Sequence, residues 1–522
     1  MKKESPKVSL DALIPREAFE VKGQQGQNIG RIIPTVSASE LEQNRLFYDF
    51  LRKPDFQRET NEWDAQTICD FIESFLDDEL IPAVILWRSS SGYCFVIDGS
   101  HRLSSLIAWI NDDYGDGNIS KKFYDGDDEE QKLAAKEIRR LINERIGSYK
   151  DYQSLTQHRE QVDPKKLERA KNLAASGIQL QWVTGDSTKA EASFFNINQK
   201  AAPISETEMR LLKARTKPNG VAARAIMRSG NGHKYWSDFS SEKQENIEKL
   251  AQEIHQMLFE PKLKNPIKIT DVPVVGNLST SQRHEFILEF VNIVNGIDSD
   301  HEIDLEDDLT GEKTIKVLIN CRKILQIINS NHPSSLGIHP LIYFYTSDGR
   351  YRVGSFYGVV TLILELESNK SYSKLIKVRK DFEWIIWQYD DIVPQIVSKS
   401  SAVKARKKVK DFYLQVIEKL LQGVDKKSVV KEIVEEKICG SLKIKSKSNT
   451  NIVQSKTFSR ETKTAAFIRE ALPKIQRCKI CGGFLHSHSI SIDHKIRKAD
   501  GGLGNLENAQ LTHLYCNTTF KN

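Results

Sequence analysis

Apolar residues recur at helical spacing over residues 63–76 and again over 101–110. Between these runs lie two shorter blocks of another kind, Ile81-Pro82-Ala83-Val84-Ile85-Leu86-Trp87 and Tyr93-Cys94-Phe95-Val96-Ile97. Short apolar runs bounded by turn formers read as buried strands, and Ser89-Ser90-Ser91-Gly92 supplies the turn between them. The second strand then gives way to the second helix at Asp98-Gly99-Ser100-His101-Arg102. A strand-to-helix junction presents backbone N–H groups to an anion.

Residues 112–131, with Asp112-Asp113 and Asp127-Asp128-Glu129-Glu130, read as an acidic loop region. From about Lys132 to Ile438 the pattern is mostly helical, with the clearest helices over 280–294, 313–328, 356–367 and 403–421. Pro261, Pro266 and Pro273 break it, as does an acidic stretch over 298–308. Residues 441–463 are rich in Ser, Lys, Thr and Asn and read as a flexible cationic linker. No internal repeat is visible. The expected domains are therefore 1–216, a helical middle over 217–440, the linker 441–463 and a terminal module over 464–522.

Composition sharpens this division. A chain of 522 residues is long enough for several cores. Its net charge of +6 is unevenly spread: residues 441–522 hold fourteen Lys and Arg against five Asp and Glu, a net +9, leaving −3 for the remainder. A basic tail on a near-neutral body suits a phosphate-backbone ligand. Three of the seven cysteines fall in that tail, while Cys69, Cys94, Cys321 and Cys439 are scattered. This usage points to metal binding in a reducing compartment rather than to disulfides. With no signal core and no membrane-spanning stretch, a soluble cytoplasmic protein without a membrane partner is expected.

The tail carries the chemistry. Cys478 and Cys481 form C-x2-C, and His513 and Cys516 form H-x2-C, a donor set for tetrahedral structural zinc. His486 and His488 are competing candidates for the fourth ligand. Between the two pairs lie Asp493-His494, Gly501-Gly502, Asn505 and Asn508, and Asn517 follows Cys516. Asp493 and the side-chain oxygen of Asn517 suit a catalytic divalent ion, and His494 suits a general base. Asn508 either orients the His494 ring or pins the hairpin. Lys495, Arg497 and Lys498 are placed to meet DNA phosphates. A zinc knuckle that only binds DNA is the plainer alternative, although it would leave the Asp-His step and the asparagines without a role.

This pattern resembles the zinc-knuckle HNH endonucleases, whose fold is the ββα-metal module, over roughly residues 465–522. The resemblance implies Asp493 and Asn517 as ligands of Mg2+ or Mn2+, with His494 as base. His513 stands where the family usually has cysteine, and Asn517 where many members have histidine.

Near the amino terminus, Gln57-Arg58, Asp98-Gly99-Ser100-His101-Arg102 and Asn198 form an ordered set suited to a nucleotide or a nucleic-acid backbone. A plainer reading makes Asp98 and Arg102 an internal ion pair at the turn. In order and spacing the set resembles the ParB/sulfiredoxin-like superfamily, in particular its GmrSD-type domain, over residues 40–215. Ser100-His101 replaces the Gln-Gln of the usual DGQQR step. That resemblance implies nucleoside triphosphate use that gates a nuclease, and restriction of modified phage DNA.

The expected fold class is α+β multidomain: a ParB-like α/β domain, a mostly helical middle and a ββα-metal zinc module. The expected function is an antiviral, restriction-like endonuclease acting on double-stranded DNA, with a nucleoside triphosphatase and a homodimer as further expectations. The alternative is a nucleotide-switched, ParB-like DNA-binding regulator whose zinc knuckle is not catalytic.

Overall fold

The computed structural model describes residues 8–17, 19, 33–54, 57, 60, 63–123, 129–155, 163–201, 206–231, 235–278, 280–298, 301–436, 442–444 and 457–521. The chain divides into two compact units, residues 1–212 with 231–235, and residues 213–230 with 236–522. Among the described residues no helix is long and apolar enough to cross a membrane.

The first unit is built on a mixed six-stranded sheet in the order β1-β3-β5-β4-β6-β2. Its strands are β1 (Arg16–Glu17), β2 (Thr35–Val36), β3 (Leu51–Pro54), β4 (Val84–Arg88), β5 (Cys94–Asp98) and β6 (Ile178–Val183). The antiparallel pair β4 and β5 lies at its centre, joined by the expected turn, in which Ser89 N–H bonds the Tyr93 carbonyl at 2.9 Å. Alternation explains why these strands look apolar throughout: successive residues face opposite sides of the sheet. Val84, Leu86 and Val96 enter one core with Ile68, Ile72, Leu103 and Ile107 of the helices Ala65–Leu76 and Ser100–Asn111. Trp87, Phe95 and Ile97 enter another with Phe194 and Leu212. Both faces are covered, so neither needs polar positions.

Two expectations need correction. Residues Ile178–Val183 lie inside the stretch read as mostly helical, yet they form a strand that pairs in parallel with β4, Val84 opposite Leu180 and Leu86 opposite Trp182. Six residues, of which only Ile178 to Gln181 alternate, are too few to announce themselves, and each pairing partner in β4 lies 96 residues away in sequence. The described part of the acidic region, residues 112–123 and 129–131, is also more ordered than a loop, while Asp127 and Asp128 lie outside the described residues. Buried Asp113 accepts bonds from the N–H groups of Gly115, Gly117, Ile119 and Ser120 and from the Ser120 hydroxyl. Helices Asn118–Phe123 and Glu129–Arg145 follow, and Arg139 pairs with Asp112 and Asp116. Local carboxylate-to-backbone bonds of this kind compact a turn that composition alone suggests is solvated.

Up to Glu435 the described residues of the second unit are mostly helical. Thr280–Val294, Glu312–Ile328, Val353–Ser368 and Ala402–Leu421 stand within a few residues of the helices expected from periodicity. Tyr343 and Tyr345 are buried, with their hydroxyls bonded to Glu383 and to the Pro273 carbonyl. In the segment read as a linker, the Lys443 backbone pairs twice with the Gln395 amide, and a helix starts at Arg460. The chain ends in the two-stranded hairpin β7 (Ser491–His494) and β8 (Ala509–Thr512), followed by a wide helical turn over Cys516–Phe520.

Candidate metal centre and nuclease hairpin

The turn after Cys478 is tight because its backbone closes on itself. Cys478 N–H bonds the Gly483 carbonyl at 2.8 Å, and Gly482 N–H returns to the Cys478 carbonyl at 2.9 Å. Lys479 N–H reaches the Leu511 carbonyl at 3.0 Å, which fixes this turn against β8. Cys481 is thereby brought to His513 and Cys516 at the end of the hairpin. Ligand atoms of Cys478, Cys481, His513 and Cys516 all lie within 4.8 Å of one another, and all four residues are buried.

The donor chemistry fits a tetrahedral metal such as zinc. His513 turns Nδ1 to the sulfurs, 3.3 Å from Cys481 Sγ, and its Nε2–H donates to the Phe484 carbonyl at 3.0 Å. Such a bond at the far nitrogen sets the tautomer a ligating imidazole needs. Proximity couples the sulfurs: the neighbouring Cys481 and Cys516 thiols lower Cys478, while Cys478 raises Cys481 and Cys516. A bound cation lets all three become thiolates. Neither competing histidine joins this set. His486 accepts from the Asn329 amide at 3.0 Å through Nδ1, and its Nε2 lies 3.8 Å from Asp271. His488 stacks edge-on against His486.

The hairpin that leads into His513 carries Asp493 and His494 on its first strand. Ser491 and Asp493 fall on one face of β7, opposite Thr512 and Gln510. Asp493 is buried, and its Oδ2 accepts from Gln510 Nε2 and from Lys521 Nζ, each at 2.7 Å. Lys521 also bonds the His494 carbonyl. His494 is half-buried, and among the described residues its ring makes no hydrogen bond or ion pair. Asn517, on the terminal helical turn, donates to Ser491 Oγ at 2.8 Å and to the Ile492 carbonyl at 3.4 Å. The turn therefore lies against the same strand that holds Asp493.

Of the two roles open to Asn508, the hydrogen bonds describe the pin. Its Oδ1 accepts from Ile496 N–H at 2.8 Å, and its Nδ2 donates to the carbonyls of Ile496 and Leu503 at 3.1 and 2.8 Å. The loop so closed exposes Lys495, Arg497 and Lys498. Lys495 bonds the Glu507 carbonyl at 2.6 Å and Arg497 pairs with Asp500 at 2.8 Å, both at the surface, where such contacts exchange readily with a phosphate.

In the first unit the junction after β5 turns through Gly99, at φ +93°, directly into the helix Ser100–Asn111. An added Cβ there would meet Val84 Cγ2 at 2.8 Å and Arg102 Nη2 at 3.0 Å, so glycine is required. Arg102 Nη2 donates to Asp98 Oδ2 at 2.8 Å and to the Ala83 carbonyl at 3.2 Å, the internal ion pair of the plainer reading. Its Nε is buried and meets no acceptor among the described residues. Ser100 and His101 are buried, His101 against the Trp63 ring. Gln57 is buried next to a network the sequence does not announce, in which Arg16 and Lys53 both bond Asp11, and Arg16 also bonds the Gln57 carbonyl. Arg58 lies outside the described residues. Asn198 lies in the helix Ser187–Ala201, and its side chain is outside what is described.

Gln510, Lys521, Arg379 and Glu383 are the site neighbours that sequence reading passed over. Gln510 is recoverable once the hairpin register is known, because it stands opposite Asp493. The others have no local signal.

Residues 39–217 match the family model for the N-terminal domain of the GmrSD restriction endonuclease, and residues 478–522 match that for the HNH endonuclease. The chain thus carries a GmrSD-type N-terminal domain and a C-terminal HNH endonuclease domain. No curated protein and no solved structure matches it.

Proposed function

We propose that this protein is a metal-dependent DNA endonuclease of restriction-like defence, in which the C-terminal hairpin hydrolyses phosphodiester bonds and the N-terminal unit gates that hydrolysis. The observation that carries the reading is the Asp493–His494 step on a hairpin whose far end holds the Cys3His cluster, with the Asn517 amide tied to the same strand. A divalent ion, Mg2+ or Mn2+, held by Asp493 and Asn517 would stabilise charge on the scissile phosphate. The His494 imidazole, whose ring makes no hydrogen bond among the described residues, takes the proton of the attacking water. The water oxygen forms the new bond to phosphorus, the bond to the leaving sugar oxygen breaks, and solvent protonates that oxygen. Gln510 holds the Asp493 carboxylate in place. Lys521 is the resident counter-charge of that carboxylate, and it would be free to meet a phosphate if a divalent ion took its place. Lys495, Arg497 and Lys498 hold the backbone.

For the first unit, the reading is a sensor of a nucleoside triphosphate or of a DNA modification. Its support is the glycine turn at a helix start and the buried Arg102 Nε and Gln57 Oε1, which meet no partner among the described residues, since unsatisfied buried polar atoms call for one. Modified phage DNA as substrate and a homodimer that cuts both strands belong to the same proposal.

One observation favours a second reading, a DNA-binding regulator with a non-catalytic knuckle: the Asp493 carboxylate already has an ammonium partner. The purified chain, supplied with Mn2+ or Mg2+ and modified or unmodified DNA, with and without each nucleotide, separates the two. Cleavage that disappears in His494→Ala while DNA binding persists supports the nuclease. Normal cleavage by His494→Ala refutes the assignment of the base.

A further inference from the structure

The helix Tyr372–Gln388 lies outside both family matches, yet it reaches the metal centre. Arg379 and Glu383, one turn apart on it, form an ion pair at 2.8 Å with both side chains wholly buried. The Arg379 guanidinium bonds the carbonyls of Leu336 and Gly337 and approaches His513 Nδ1 to 3.4 Å. Glu383 accepts from Phe484 N–H at 2.8 Å and from the Tyr343 hydroxyl at 3.2 Å, and Arg477 lies 3.9 Å away. The fit leaves no slack. A Cβ on Gly483 would stand 2.5 Å from Arg379 Nε, and one on Gly337, at φ +61°, would stand 2.3 Å from the His513 ring.

The charges explain why these groups are there. Three thiolates, a neutral imidazole and a divalent zinc carry one net negative charge, which is costly to bury without a counter-ion. Arg379 with Arg477 offsets that charge together with Glu383. An Arg379–Glu383 pair buried for packing alone would gain little over apolar residues of the same volume.

We propose that Arg379 is a positioning residue of the zinc centre, the counter-cation of the Cys3His cluster, and that through Arg379 and Glu383 zinc occupancy and docking of the nuclease hairpin on the helical body form one linked equilibrium. This rests on the cluster holding zinc. The helix is then a lever on the nuclease: displacing it removes the counter-charge and loosens the metal.

The test uses the full chain. Zinc content, the rate of zinc extraction by a chromogenic chelator, and the thiolate-to-metal absorption bands of the Co2+-substituted protein are compared for the wild type, Arg379→Met, Arg379→Lys and the apolar pair Arg379→Met/Glu383→Leu. Loss of the counter-charge should speed extraction at least about tenfold in Arg379→Met and shift the Co2+ bands, with Arg379→Lys intermediate. The apolar pair removes both charges without stranding Glu383, so it keeps the question answerable if Arg379→Met fails to fold. Extraction from the folded pair should also be faster than from the wild type. Wild-type rates and unshifted bands in either folded variant overturn the proposal. A wild-type chain that binds neither Zn2+ nor Co2+ would instead overturn the zinc reading beneath it.

Discussion

Asn508→Ala tests whether the loop between β7 and β8 is held by one side chain. Three hydrogen bonds are lost, from Ile496 N–H and to the carbonyls of Ile496 and Leu503. Each is worth about 1 kcal/mol net, and the penalty for groups left unpaired is moderated because Ile496 and Leu503 are themselves exposed. The local cost is therefore roughly 2–3 kcal/mol. Gly502 amplifies it: a Cβ there would meet the Ile496 carbonyl at 1.9 Å, so the loop has one narrow way of closing. Hydrogen exchange followed by mass spectrometry should show the Ile496 amide exchanging roughly 30- to 150-fold faster, at 1.4 kcal/mol per tenfold, with β7 and β8 protection retained. DNA affinity should fall along with it, because Lys495, Arg497 and Lys498 ride on this loop. Asn508→Asp, which keeps the acceptor and loses both donors, should fall between. Unchanged exchange at Ile496 together with lost cleavage would refute the pin and return Asn508 to orienting the His494 ring.

Gly99→Ala should destabilise the first unit by roughly 2–3 kcal/mol, from a left-handed backbone and the Val84 contact, seen as faster exchange at the start of Ser100–Asn111; unchanged protection would refute the requirement for glycine. Acidification should weaken the second unit. Burial, opposed in part by Asp271, lowers His486 from 6.5 to about 4, and it lowers His339, which is also buried, well below its ordinary value. The unfolded chain binds these protons first, so stability is complete above about pH 6.5 and is lost as pH falls toward 4, by about 1.4 kcal/mol per pH unit for His486. The difference in urea midpoint between wild type and His486→Phe, taken from pH 7 to 5 so that thiolate protonation cancels, should shrink; a constant difference refutes the sign. Lys521→Met should bind Mn2+ about fivefold more tightly, measured by the free-ion resonance signal, because an ammonium no longer competes for Asp493; weaker binding would make Lys521 a support of the site instead.

Motifs whose members are close in sequence were legible without coordinates. Cys478-x2-Cys481, His513-x2-Cys516, Asp493-His494 and the turn at Asp98-Gly99 depend on local spacing, and local spacing survives in the chain as written. Four helices of the second unit, Thr280–Val294, Glu312–Ile328, Val353–Ser368 and Ala402–Leu421, were legible for the same reason, since each repeats its apolar stripe several times. Strand β6 was not, because so short a run gains meaning only beside β4. Nor was the surrounding of the metal cluster. Nothing in local spacing sets Arg379 and Glu383 apart, and only packing turns that face of the helix inward against His513 and Phe484. Which atoms Asn508 and Lys521 bond was likewise decided by the closed hairpin. Sequence determined the kinds of chemistry this protein carries. Tertiary structure decided which charges are removed from water together, because a charge's partner is chosen by proximity in space and not by order along the chain.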